Sequence, residues 1–413
     1  MLPTVLTRTA VLTRAAVAAV AVLALAVTTG CDGGASGSAP TWVPQQNYQG
    51  NNDPRPQLPA PGLPAPTQSD SQSVPGPTSG PSQPSPGTSA PETDPTVVAT
   101  KLNQPTGLVV LPDGTALVGE RPTGRVLRVQ PVAGRPATVV QRLAVDGSGD
   151  GGLLDLAISP TFDQDGLVYA YLSTATDNRV VHFSLGSKPS AIIAGIPKGR
   201  TGNAGRIAFD ATGALLTGTG DAGRPSLAAS ATSLAGKILR TSDIGQPLPG
   251  NPVPGSSIYA RGLRSVDGLC VDPRTGLRIA ISAGAAGTPD EVNVVKAGAD
   301  YGWPGNGPGS VAPARTLPTA STGGGGCALM ANRLFVATST GRSLAVSEVN
   351  QSVPGTFSSS LQNKYGRLAT VVAGTDGALW LTTRNRDGQG SPIADDDRVI
   401  RISPSDSTAS PII

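Results

Sequence analysis

The sequence predicts an all-β fold, a six-bladed β-propeller, preceded by a leader and a proline-rich tether. Three observations lead there. From Thr96 onward, short alternating runs of β-branched residues are broken by Asp-Gly, Thr-Gly and Asn turns, the pattern of hairpins. One unit recurs six times: a short apolar strand, a turn, a second apolar strand, and often a third that opens on Gly-Arg or Asp-Arg. The copies begin about 40 to 60 residues apart, which is the period of propeller blades with three or four strands each.

Residues 1–30 are expected to be a leader. MLPTVLTRTAVLTR carries Arg8 and Arg14 and no acid, and AAVAAVAVLALAV (15–27) is too short to span a bilayer but suits the core of a secretory signal. The run ends in VTTGC, which resembles the lipobox of bacterial lipoproteins, with Thr28 in place of the usual aliphatic residue. Cys31 is therefore expected to be the lipidated first residue of the mature chain. The protein would then be extracytoplasmic and held to the cell membrane by its lipid anchor; plain secretion is the alternative. Residues 31–96 form the tether: 15 of the 39 prolines fall in 32–96, among Ser, Gly, Thr and Gln. Such a stretch cannot bury enough apolar surface to offset its ordering entropy and is expected to be disordered. Extended at roughly 3.1 Å per residue, it reaches about 200 Å.

Residues 97–405 hold the propeller and 406–413 a short tail. The six units are 107–129, 153–183, 206–221 closing with GKILR (236–240), 268–284, 327–349, and 368–383 with DRVIRI (397–402). A blade alone cannot bury both of its faces, so the ring must close for any of it to be stable. Val97–Leu102 is expected to pair into the last blade and seal it. Cys270 and Cys327 sit early in the first strands of neighbouring units, GLCVDP and GGCALM. In an oxidising compartment they are expected to form a disulfide. Charge is 31 − 28 = +3 with no basic runs, so nothing points to nucleic acid.

GLVVLPDGTALVGERPTGRVLRV, GGLLDLAISPTF, GRIAFDATGALLTGTGD, GKILR, IYARGLRSVDGL and DEVNVVKAGADYGWP follow one another in order. Together they resemble the soluble glucose/sorbosone dehydrogenases, the pyrroloquinoline quinone (PQQ)-dependent aldose sugar dehydrogenases, across nearly all of 97–403. Leader and tether add a resemblance to a lipoprotein branch of that family. The resemblance implies a six-bladed propeller with PQQ and Ca²⁺ at the central tunnel, and a histidine that takes the proton of a sugar hydroxyl.

Matched to that pattern, the base position is Gly202, in GNAGRI (202–207). Arg264 survives in GLRSVDGL (262–269), but its Asn neighbour is Ser265. Asp150 stands near the usual glutamine, Thr340 near a lysine, and of an Arg-x-Arg pair Arg367 remains while Ala369 replaces the other. The quinone pocket therefore reads as degenerate, with PQQ not expected to be held. Arg264, Arg367 and Asp150 are its remaining candidates. Glu291 and Tyr301 keep the family's ten-residue Ca²⁺ spacing, with Asp290 beside them. A metal corner and a plain packed turn both fit these residues.

The lone His182 lies in RVVHFSL, on an outward strand of the second unit, and nearly excludes Ser-His-Asp chemistry. Gly220-Asp221-Ala222-Gly223 lacks the Lys-Ser/Thr of a phosphate loop. The leading expectation is a binding or scaffold propeller at the cell envelope, with an envelope protein or sugar as partner. The alternatives are a sugar oxidoreductase with an altered pocket, in which Asp150 or Asp221 replaces the histidine, and a lectin-like module for envelope sugars. Further cations in the tunnel would favour the enzyme; a neutral polar mouth would favour binding.

Overall fold

The computed structural model describes residues 94–404. The leader, Cys31, the tether before 94 and the tail lie outside the described residues. Within them stand six four-stranded antiparallel sheets. Blade one runs Pro105–Val110, Ala116–Glu120, Arg125–Val129, Thr138–Arg142, and blade two Leu153–Ile158, Leu167–Ser173, Asn178–Ser184, Ser190–Ile196. Blade three is Arg206–Phe209, Leu215–Gly218, Lys237–Thr241, Ile258–Arg261, and blade four Val266–Val271, Arg278–Ser282, Glu291–Val294, Arg315–Thr316. Blade five is Gly324–Met330, Arg333–Thr338, Ser343–Asn350, Val353–Ser360. Blade six takes Leu368–Ala373, Leu379–Thr383 and Val399–Ile402, and its fourth strand is Val97–Ala99.

That last pairing, Val97 opposite Ile400 and Ala99 opposite Val399, joins the start of the propeller to its end. The expected closure is found, three residues shorter than Val97–Leu102. The four-stranded blades add an outer strand in blade one that the first unit's motif does not reveal. Each blade's first strand contacts the first strands of both neighbours, so these six strands form the wall of the tunnel.

The period-2 alternation of a strand explains why the ring coheres. In the second strand of blade one, Ala116 and Val118 pack in the seam shared with blade six, beside Trp380 and Val399. Leu117, between them, points the other way into the seam with blade two, against Leu153 and Leu156. The same division recurs around the molecule, so each seam between neighbouring blades has its own apolar cluster. Trp380 is wholly buried; full burial of a large apolar side chain is worth about 1.5–3 kcal/mol. Cys270 and Cys327 lie on the inner strands of blades four and five and are disulfide-bonded, with Cα atoms 5.6 Å apart. No helix among the described residues is long and apolar enough to cross a membrane.

Candidate ligand site at the propeller mouth

Because the first two strands of a blade are antiparallel, the start of the first and the end of the second come to the same rim. A cavity of about 430 Å³ opens there. It is lined by residues at or before first strands (Thr106, Asp150, Arg206, Asp267) and just after second strands (Arg121, Arg384, Asp387). Blade five contributes no lining residue.

The floor is organised by Arg206, 8% exposed at the start of blade three. Its Nε donates to the Asp267 carbonyl of blade four at 2.6 Å. Its Nη1 donates to the Thr106 carbonyl of blade one at 3.4 Å and to Thr370 Oγ1 of blade six at 3.2 Å. Asp155 of blade two is its ion-pair partner at 3.5 Å, and Asp155 also accepts the Ile207 N–H at 2.9 Å. One buried guanidinium thus ties its own blade to four others. Burial pushes the Asp155 carboxyl up to about 6, against the opposing pull of Arg206. Asp267 goes up to about 7, mainly by burial; the Ser265 hydroxyl and Arg206 oppose this, while Asp290 adds to it.

The walls carry four arginines (Arg121, Arg200, Arg206, Arg384) against three aspartates (Asp150, Asp267, Asp387). Arg121 is committed to the protein, donating to the Gly149 and Gly151 carbonyls at 3.1 and 3.0 Å and to Gln104 at 2.5 Å. Asp150 is committed too. It accepts the Gly202 N–H at 2.6 Å and the Asn203 side-chain amide, fixing the loop that enters blade three. Asp387 pairs with Arg367 at 2.9 Å and stands 3.4 Å from Arg384 Nε, which has no hydrogen-bond partner. Burial pulls the Arg384 guanidinium below its usual range; Asp387 opposes this and Arg367 adds to it.

The residues singled out from sequence are only partly brought together. Asp150 lines the cavity. Arg367 stands behind it, buried, with its fork on Asp387 and Gln389. Arg264 is turned away: it donates to the Gly284 carbonyl and lies over the Trp303 ring, 5.3 Å from its centre. Asp221 does not line the cavity; its carboxylate accepts the Trp303 indole N–H at 2.9 Å and the Gly223 N–H at 2.8 Å. Thr340 lies in the loop after blade five's second strand, off the lining. His182 is on the third strand of blade two, tilted against Tyr169 and away from the mouth.

Gly202 has φ +72°, a conformation that L side chains rarely adopt, and a Cβ there would lie 2.6 Å from Asp221 Oδ1. The loop is shaped for glycine.

At the Asp290–Tyr301 corner, Tyr301 is buried and its hydroxyl donates to the Val294 carbonyl at 2.7 Å. Asp290 accepts the Gly324 N–H at 2.8 Å. Glu291 is pushed up by burial and by the charge of Asp290, with Asn293 opposing. Among the described residues no group of three or more His, Cys, Asp or Glu side chains gathers as a metal cluster.

Sequence reasoning missed Arg121, Arg200, Arg384, Asp267 and Asp387. Most flank the strand ends that face the rim, and that position was the available signal. The mouth consequently carries more cations than the losses at Thr340 and Ala369 suggest.

The family profile described as Glucose / Sorbosone dehydrogenase matches residues 102–393. The chain belongs to the glucose/sorbosone dehydrogenase family. Solved relatives include the PQQ-bound aldose sugar dehydrogenase of Streptomyces coelicolor, 38% identical, TM-score 0.70, matching 74% of this chain and 96% of that one. A putative oxidoreductase (glucose dehydrogenase) of Thermus thermophilus is 36% identical, TM-score 0.68, over 74% and 98%. Among curated proteins, quinoprotein glucose dehydrogenase B of Acinetobacter calcoaceticus is 28% identical over 51% of this chain and 52% of its own length. The chain spans about half the length of that relative. Within the glucose/sorbosone dehydrogenase family, then, this chain has the six-bladed propeller.

Proposed function

We propose that this protein is a ligand-binding member of the glucose/sorbosone dehydrogenase family that no longer oxidises aldoses, carried outside the cytoplasm on a tether lipidated at Cys31. The observation that carries the reading is Gly202: no side chain stands there to accept a proton, and the backbone N–H is held by Asp150 at 2.6 Å. Positioned general bases typically contribute about 10²–10⁴-fold to rate. The residues present do not fit the family's redox chemistry, because His182 lies elsewhere and Asp150 and Asp221 are consumed by loop hydrogen bonds. No step through PQQ follows from this geometry.

Calcium fits better. Asp290 and Glu291 are adjacent carboxylates with no ion pair among the described residues, and a cation would relieve the burial that raises Glu291. With backbone carbonyls of the same corner they supply hard oxygen ligands, and Ca²⁺ there would brace blade four.

An altered oxidoreductase is the competing reading, favoured by the cations Arg121, Arg200, Arg206 and Arg384 on the lining and by Asp267, a cavity carboxyl titrating near neutrality. The two separate in one assay: purified protein with PQQ, Ca²⁺, a redox dye and a panel of aldoses. The binding reading expects dye reduction no faster than a heat-killed control; reduction above that control overturns it in favour of the oxidoreductase.

A further inference from the structure

We propose that the mouth binds a sugar acid, a polyhydroxylated molecule whose carboxylate sits on Arg384 at the cavity wall, with Arg200 at the rim adding the second positive charge. The proposal rests on the reading of the mouth as a binding site and names its ligand class.

Each charged group of the lining can be followed to its partner. Arg121 and Arg206 are spent on backbone carbonyls and, for Arg206, on Asp155. Asp150 is spent on the Gly202 and Asn203 loop. Asp387 is shared, closer to Arg367 at 2.9 Å than to Arg384 at 3.4 Å. Two cations remain. Arg384 is half-buried at the cavity wall, its Nε without a hydrogen-bond partner and its charge poorly compensated. Arg200 is exposed at the rim, and its side chain makes no hydrogen bond or ion pair among the described residues. Planar guanidinium forks match a carboxylate in a way no neutral group does.

The remaining lining decides what carries the carboxylate. Thr201 offers a hydroxyl, Ser265 a hydroxyl oxygen and Gln389 an amide N–H, and Asp267 can accept from a hydroxyl, while Gln104 is held between Arg121 and the Arg386 carbonyl. Only Leu154 and Ala204 bring apolar side chains, and no aromatic ring of the described residues lines the cavity. A flat aromatic acid finds nothing to stack on, whereas a ring of hydroxyls finds partners on several sides. About 430 Å³ lies within the range of small-molecule sites.

The experiment is calorimetric titration of the full mature chain with D-glucuronate, with D-glucose and with PQQ, each at fixed ionic strength. Glucuronate is expected to bind at least tenfold more tightly than glucose. Arg384→Gln and Arg200→Gln are each expected to weaken it tenfold or more. Arg200 is exposed, so Arg200→Gln keeps the fold as a control on any instability of Arg384→Gln. Equal affinity for glucose and glucuronate, no glucuronate binding, or glucuronate binding untouched in Arg200→Gln would overturn the proposal. PQQ binding that depends on Arg384 without any glucuronate binding also overturns it, since the carboxylate would then be a cofactor's. Dye reduction with PQQ sinks the binding reading and leaves glucuronate selectivity standing; loss of glucuronate binding in a chain without turnover sinks only the sugar-acid site.

Discussion

The seam between blades four and five and the mouth around Arg206 hold the same ring by different means. In the seam, Leu277, Ile279, Ile281 and Val292 meet Leu334, Val336 and Ala345 in an apolar layer, and Cys270–Cys327 crosses it covalently. At the mouth, one guanidinium joins inner strands from five blades through two backbone carbonyls, a threonine hydroxyl and a carboxylate. The seam is non-directional and tolerant of small shifts, whereas the mouth depends on each donor finding its acceptor. Apolar packing is thus distributed among the seams between blades, while the polar geometry that could serve a ligand is concentrated on the axis.

Cutting each region should expose that contrast. The largest effect is expected from Arg206→Met, which leaves Asp155 and Asp267 buried without their cation. Breaking such a pair typically costs about 3–5 kcal/mol. Urea denaturation of the variant measures it, and a loss below about 1 kcal/mol would show that the hub does not hold the blades together.

The seam should respond next. With the cysteines 57 positions apart in the sequence, the chain-entropy model assigns the disulfide about 4 kcal/mol, and measured gains are often smaller. Cys270→Ser with Cys327→Ser should lower the urea midpoint accordingly. Thiol titration of unreduced, unfolded wild type should find no reactive thiol from these two positions.

These two regions also differ in how far the sequence revealed them. Alternation in ALVGE and LWLTT assigns Leu117 and Trp380 to opposite seams, because strand period and burial are local properties. Ring closure by Val97–Ala99 and the pairing of Cys270 with Cys327 followed from counting units. The mouth was barely legible. Arg206 and Asp267 lie 61 residues apart and Arg206 and Thr370 164 apart, and nothing local to either member of a pair names the other. Matching family positions picked out Asp150, which lines the cavity, together with Arg264 and Arg367, whose forks the fold spends elsewhere. Arg384 follows blade six's second strand directly, yet it resembles any exposed loop arginine until the rim is assembled.

A smaller effect concerns pH. The Asp155, Asp267 and Asp397 carboxyls titrate near 6, 7 and 6 in the folded protein, each raised mainly by burial, against 3.8 for a free aspartate. Between those values the folded state holds more protons than the unfolded one, so stability falls as pH rises from about 4 to 7; above about 8 it turns upward, because burial depresses the Lys237 ammonium to about 8. The carboxylates of Asp210 and Asp272 are held low and act in the opposite direction only below about 4. Thermal melts should therefore give a higher Tm near pH 5 than near pH 8. Asp155→Asn should flatten the slope by on the order of 2–3 kcal/mol across that range. A Tm that rises steadily toward pH 8 would contradict the buried-carboxyl account.

The smallest expected shift is from calcium at the Asp290–Glu291 corner. Added Ca²⁺ should raise Tm by a few degrees over chelator, consistent with about 1 kcal/mol in a domain of this size, and Glu291→Gln should abolish the difference. Identical melts with Ca²⁺ and with chelator would leave the corner as packing around Tyr301 alone.

The central claim, that this propeller binds without oxidising, is tested most directly by dye-linked turnover of the wild type and of Gly202→His, with PQQ, Ca²⁺ and aldoses. A Cβ at position 202 would lie 2.6 Å from Asp221 Oδ1 and 2.8 Å from the Gly223 backbone N at a φ of +72°, so a histidine there is strained in this loop. The account predicts no dye reduction above a heat-killed control from either protein. Steady turnover by the wild type would contradict it.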